Sequence, residues 1–101
     1  MMETKIEEQE GKFLVCLKGE MDTASALEAE KNLQPLYKTG GKDVIIDCEG
    51  LEYIASSGLR ILLSILKGVK AGGGRVVMRH VNDDIKDVFK LTGFIDLFDF
   101  E

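Results

Sequence analysis

Basic residues are in short supply in this chain: 13 lysines and arginines stand against 18 aspartates and glutamates in 101 residues, a formal net charge of −5. That balance argues against nucleic-acid binding, which needs a basic stripe to displace counterions from phosphates. Long apolar runs are missing too. The helix-like run Ile61-Leu62-Leu63 stops at Ser64, far short of the ~20 residues that cross a bilayer, so no membrane partner is expected. The start, Met1-Met2-Glu3-Thr4-Lys5, has no basic-then-apolar leader, and a cytoplasmic location is the expectation.

Cysteine is limited to Cys16 and Cys48, each within an apolar strand-like run and without a second Cys or His at metal-ligand spacing. Both are expected as reduced, buried core residues on neighbouring strands. The single histidine, His80, is expected as a surface residue at a strand end rather than a metal ligand. No Ser-His-Asp arrangement is readable. Gly72-Gly73-Gly74 lacks the Gly-Lys-Ser/Thr ending of a phosphate loop and precedes a strand, so it reads as a turn. Asp83-Asp84 sits where a helix begins and is expected to cap it. Catalytic residues, metal ligands and cofactors are therefore not expected, and the chain does not read as an enzyme.

What the chain does contain is a regular alternation of strand and helix signals. Residues 4–8 and 13–18 read as a hairpin turning at Gly11, the first strand a charged edge and the second an interior strand with apolar residues on both faces. A helix starts from Asp22 or Thr23, carries Ala26, Ala29, Leu33, Leu36 and Tyr37 on one face, and is kinked or restarted at Pro35. Residues 43–48 form a central strand and a nearly apolar helix follows Ser56. Residues 75–79 form the next strand, 82–91 a short helix ending at Thr92-Gly93, and 97–100 a last edge strand. The pattern predicts a single α/β domain over residues 1–101, with a mixed, mostly parallel sheet of about five strands and three main helices.

The most specific stretch is Ala55-Ser56-Ser57-Gly58-Leu59. Serines at a helix start bring hydroxyls beside backbone N–H groups that lack partners and the positive end of the helix dipole. Such a hydroxyl caps the helix, helps bind an anion, or carries a phosphate itself. On the helix that follows, Ser57, Arg60, Ser64 and Lys67 break the apolar surface along one narrow stripe, expected at the surface. A second element, Gly19-Glu20-Met21-Asp22, opens the earlier helix.

Together these two elements resemble the STAS domain family of bacterial anti-sigma factor antagonists, in which the first reads Gly-Glu-Leu-Asp and the second apolar-Asp-Ser-Ser-Gly-Leu. The resemblance runs from the first hairpin to Phe94. It implies that Ser56 is the phosphate acceptor and that Asp22 helps orient or activate it. The partner it implies is an anti-sigma factor that is also a serine-protein kinase, and it leaves room for a cognate phosphatase. Glu20, Asp22, Ala55, Ser57, Gly58, Arg60, Ser64 and Lys67 would form the acceptor environment and the partner surface. Phosphorylation would add about −1.5 to −2 of charge beside Asp22, Glu20 and Glu52 and so repel an acidic partner surface. Two departures stand out: Ala55 replaces the family's Asp, and the family's further helix after the last strand has no counterpart before Glu101, so a sheet face or groove is expected to be left open or covered by a partner. The other reading is a phosphorylation-independent STAS adaptor, or an anion- or nucleotide-binding module using the helix starts at Asp22 and Ser56.

Overall fold

A computed structural model describes residues 2–101. Five strands, β1 (Met2–Gln9), β2 (Lys12–Met21), β3 (Asp43–Ile54), β4 (Val76–Arg79) and β5 (Asp99–Phe100), form one sheet in the order β1-β2-β3-β4-β5. The β1/β2 hairpin is antiparallel and all other pairings are parallel. Three helices, α1 (Thr23–Leu33), α2 (Ser56–Ala71) and α3 (Asp83–Thr92), connect the parallel strands. Pro35 breaks the first helix outright: α1 ends at Leu33 and a 3-10 turn, Gln34–Tyr37, takes the proline in its first positions, where a missing N–H costs nothing.

Strand alternation shows that the fold has two layers. Val15 and Leu17 of β2, Val44, Ile46 and Cys48 of β3, and Val76 and Met78 of β4 are all buried. Their neighbours Leu14, Cys16, Ile45 and Val77 are only half-buried. Parallel pairing matches Val15 with Ile46 and Ile46 with Met78, so the buried set shares one face, against which the helices pack. Phe89 of α3 reaches the same face, stacked edge-on against Phe98 and Phe100. Apolar residues on both sides of β2 therefore do not mean two covered faces.

Burial of both thiols was the expectation, and Cys16 departs from it. Cys48 lies within the core, where burial pushes its thiol up to about 12. Cys16 is half-buried because it is registered with Asp47 on the opposite, open face.

Strands β2 and β3 also run past their expected ends at residues 18 and 48. Register shifts between Cys16 and Lys18 and between Gly19 and Glu20 absorb the irregular residues, and pairing continues to Met21 and Ile54. The last strand is shorter than expected, because Phe94–Asp96 form a 3-10 turn and Phe98 turns into the core before pairing begins at Asp99.

Candidate functional site

The extended ends of β2 and β3 deliver two strand-to-helix turns side by side. The Ala55 N–H donates to the Met21 carbonyl at 2.9 Å, joining the turns across the edge of the sheet. In the first, Asp22 is the N-cap of α1. Its carboxylate accepts from the Ser25 N–H at 2.8 Å, while the Asp22 N–H donates to Ser25 Oγ at 3.2 Å, a reciprocal capping box. Ser25 Oγ lies 2.8 Å from both Asp22 Oδ1 and the Glu20 carbonyl, and donates its one proton to one of them at a time. The Ser25 N–H and hydroxyl hold the Asp22 carboxyl below the usual carboxylate range.

In the second turn the N-cap is Ala55, and no side chain caps the helix. Ser56 is the first helical residue and is exposed. The hydroxyl thus stands at the first turn without serving as the cap, which removes the structural role a serine most often has there. Among the described residues, no hydrogen bond links Asp22 to Ser56; the carboxylate expected to orient the acceptor is engaged in its own helix. At the third turn Asn82, not Asp83 or Asp84, caps α3 by accepting from the Ile85 N–H at 2.9 Å, and its amide donates to the Leu51 carbonyl at 3.2 Å. Asp83 and Asp84 occupy the first turn, where they suit the dipole without capping.

Gly58 is explained by packing. A Cβ there would sit 2.9 Å from Ile54 Cγ1 and 2.9 Å from Met21 Cγ. The helix start can lie against the ends of β2 and β3 only because that side chain is absent.

The polar stripe divides unevenly. Arg60 and Lys67 are exposed, whereas Ser57 and Ser64 are half-buried. Ser64 Oγ donates back to the Arg60 carbonyl at 3.0 Å. Ser57, Arg60 and Ser64 line a groove of about 310 Å³ between α1 and α2, together with Thr23, Leu27 and Glu30. Among the described residues, Ser57 Oγ is buried without a hydrogen-bond partner, an arrangement that costs stability. Ser56 faces the other flank of α2, in a groove of about 230 Å³ with Leu59, Arg60, Leu63, Thr92 and Phe94. Glu20 and Glu52 are exposed near the turns.

Two features escape sequence reasoning. Leu27 is 71% exposed and lines the α1–α2 groove; its signal is a leucine out of phase with Ala26, Ala29 and Leu33. His80, in a left-handed backbone conformation at φ 56°, has Nδ1 3.1 Å from Asp47 Oδ1 and 3.8 Å from Glu49 Oε2. A search for Cys or His partners passes over these carboxylates, which the strand ends bring together.

A scan against protein families matches residues 3–101 to the STAS domain. The anti-sigma-B factor antagonist of Staphylococcus aureus is 30% identical over 79 residues, covering 78% of this chain and 73% of that protein. Among solved structures, an anti-sigma factor antagonist from Mycobacterium paratuberculosis aligns with a TM-score of 0.80 at 25% identity, covering 99% of this chain and 85% of that one. Unphosphorylated SpoIIAA, also an anti-sigma factor antagonist, shares the fold at a TM-score of 0.80 and 18% identity, with 98% of this chain and 88% of that one covered. The chain belongs to the STAS domain family, and within it to the anti-sigma factor antagonists.

Proposed function

We propose that this domain binds an anti-sigma factor with serine-kinase activity and is released when that kinase phosphorylates Ser56. The observation that carries the reading is the state of the second turn: an exposed hydroxyl at the start of a 16-residue helix whose N-cap offers no side-chain acceptor. Transfer of the γ-phosphoryl group of ATP to Ser56 Oγ, with loss of the hydroxyl proton and release of ADP, puts a dianion where unpaired N–H groups and the helix dipole favour it. The fold survives the modification. The partner contact does not, because the new charge joins Asp22, Glu20 and Glu52 beside the binding surface.

The partner surface in this reading comprises the α1–α2 groove, with Leu27 as its apolar element, Arg60 as its exposed charge and the half-buried Ser57 and Ser64 in its lining, continued by Lys67 along α2. Gly58 holds the turn in place, and Ala55 and Asp22 set its electrostatics. SpoIIAA, which shares the fold, has been solved in a phosphorylated form at a TM-score of 0.74 to this chain.

A second reading rests on Ala55 and on the engagement of Asp22 with Ser25. With no carboxylate at position 55 and Asp22 Oδ1 held by Ser25, the domain would bind its partner without a phosphate switch. Incubation with ATP and the cognate kinase, followed by intact-mass measurement, separates the two. One added phosphate, lost in Ser56→Ala, supports the switch. No phosphate on the natural chain or on Ala55→Asp establishes the unswitched adaptor.

A further inference from the structure

Arg60 stands on the ridge of α2 between the two grooves and lines both. On one side it faces Thr23, Glu30, Ser57 and Ser64; on the other it is the one charged residue around the groove that holds Ser56 and Thr92. Ser56 and Arg60 are i and i+4 on the helix, the spacing at which side chains are neighbours on one face. Of the chain's three arginines, Arg75 pairs with Asp99 at 3.1 Å and Arg79 with Glu101 at 3.3 Å. Among the described residues Arg60 makes no ion pair.

Resting on Ser56 as the phosphate acceptor, we infer that a phosphate there is captured in cis by the Arg60 guanidinium. The planar fork of an arginine matches two phosphate oxygens, a geometry a lysine cannot reproduce. Thr92, across the same groove, offers a hydroxyl, although in the unmodified chain it donates to the Val88 carbonyl at 2.8 Å. A guanidinium turned toward Ser56 is no longer presented to the α1–α2 groove. Phosphorylation then removes a cation from the partner surface as it adds an anion beside it, so one event changes the surface twice. The same contact shields the phosphoester from a phosphatase, which must first displace Arg60.

Phosphoserine encoded at position 56 of the full chain, installed during synthesis and so independent of any kinase, tests the capture directly. Titration followed by ³¹P NMR should place the second phosphate pKa lower, by roughly half a pH unit, in the natural background than in Arg60→Gln, because a nearby cation favours the dianion. Arg60→Lys should recover part of the difference, having the charge without the fork. The Arg60 Nε resonance should move over the same pH range. Identical phosphate titrations in the natural chain and Arg60→Gln would overturn the capture. A kinase that fails to load Ser56 would sink the phosphoacceptor assignment alone, since the titration reads a phosphate that is already in place.

Discussion

The two neighbouring turns have nearly the same backbone and opposite chemistry. Asp22 and Ala55 each occupy the N-cap, with φ −88° in both and ψ 179° and 169°. Asp22 commits its Oδ1 to the backbone N–H and hydroxyl of Ser25 in the first turn of α1. Ala55 supplies nothing, so the start of α2 keeps its unmet N–H donors and its share of helix dipole. The first turn is capped by its own side chain; the second leaves its N–H groups to solvent or to an anion. On this comparison, a missing side chain shapes the candidate site as much as the serine beside it.

The comparison can be broken most severely at Gly58, on whose small size both turns depend. Gly58→Ala forces a methyl against Met21 and Ile54 and should cost about 1–3 kcal/mol by overpacking, read from chemical denaturation. Asp22→Ala, which strips the finished turn of its cap, should lower the thermal midpoint by roughly 5 °C. That loss has a pH signature. Because the folded-state pKa of Asp22 is depressed, its contribution is fully present above the unfolded carboxylate pKa and disappears as pH falls through the lower folded value. Melts of the natural chain and Asp22→Ala should therefore converge in strong acid.

Ala55→Asp gives the second turn an N-cap acceptor like the first and should stabilise the domain by about 1 kcal/mol, the usual worth of such an acceptor. If the unfinished turn exists to receive phosphate, the same variant reports on that as well: a faster initial rate of phosphate uptake with the cognate kinase means the carboxylate aids the transfer, and a slower rate means it competes for the N–H groups. The smallest change is expected from Ser56→Ala. Since the hydroxyl caps nothing, stability should stay within ~0.5 kcal/mol, and a larger loss would show that the serine has a structural role.

Much of this architecture is legible in the residues, because periodicity and caps report local preferences directly. Apolar spacing locates all three helices, Gly93 marks where the last one stops, and the Gly11 hairpin leaves β1 at the sheet edge; Pro35, read as a kink or restart, instead follows the end of α1 at Leu33. What escapes depends on contacts distant in sequence. Residues 18 and 48 read as strand ends, yet cross-strand pairing carries β2 and β3 beyond them. Asn82 is passed over in favour of the more acidic Asp83-Asp84, although the amide also reaches Leu51 on another strand. Ala55 is legible as a missing carboxylate but not as an uncapped helix start, because the N-cap position depends on where β3 ends. The His80, Asp47 and Glu49 group exists only once β3 and β4 lie side by side. Cys16 is only half-buried because its register sets it beside Asp47 on the open face, which no periodicity within β2 reveals.

Helix α2 passes so close to the 3-10 turn after α1 that a Cβ on Gly68 would lie 2.0 Å from the Tyr37 carbonyl oxygen. With Gly58 seated near one end and Gly68 near the other, α2 is fixed at two points like a clamped beam. It has little room to slide along its axis or roll about it without a side chain meeting backbone. On the proposed reading, a phosphate at Ser56 would therefore have no piston to drive, and its effect would stay near the start of α2. A partner sensitive to that phosphate would have to touch α2 near that end, at the edge of the sheet.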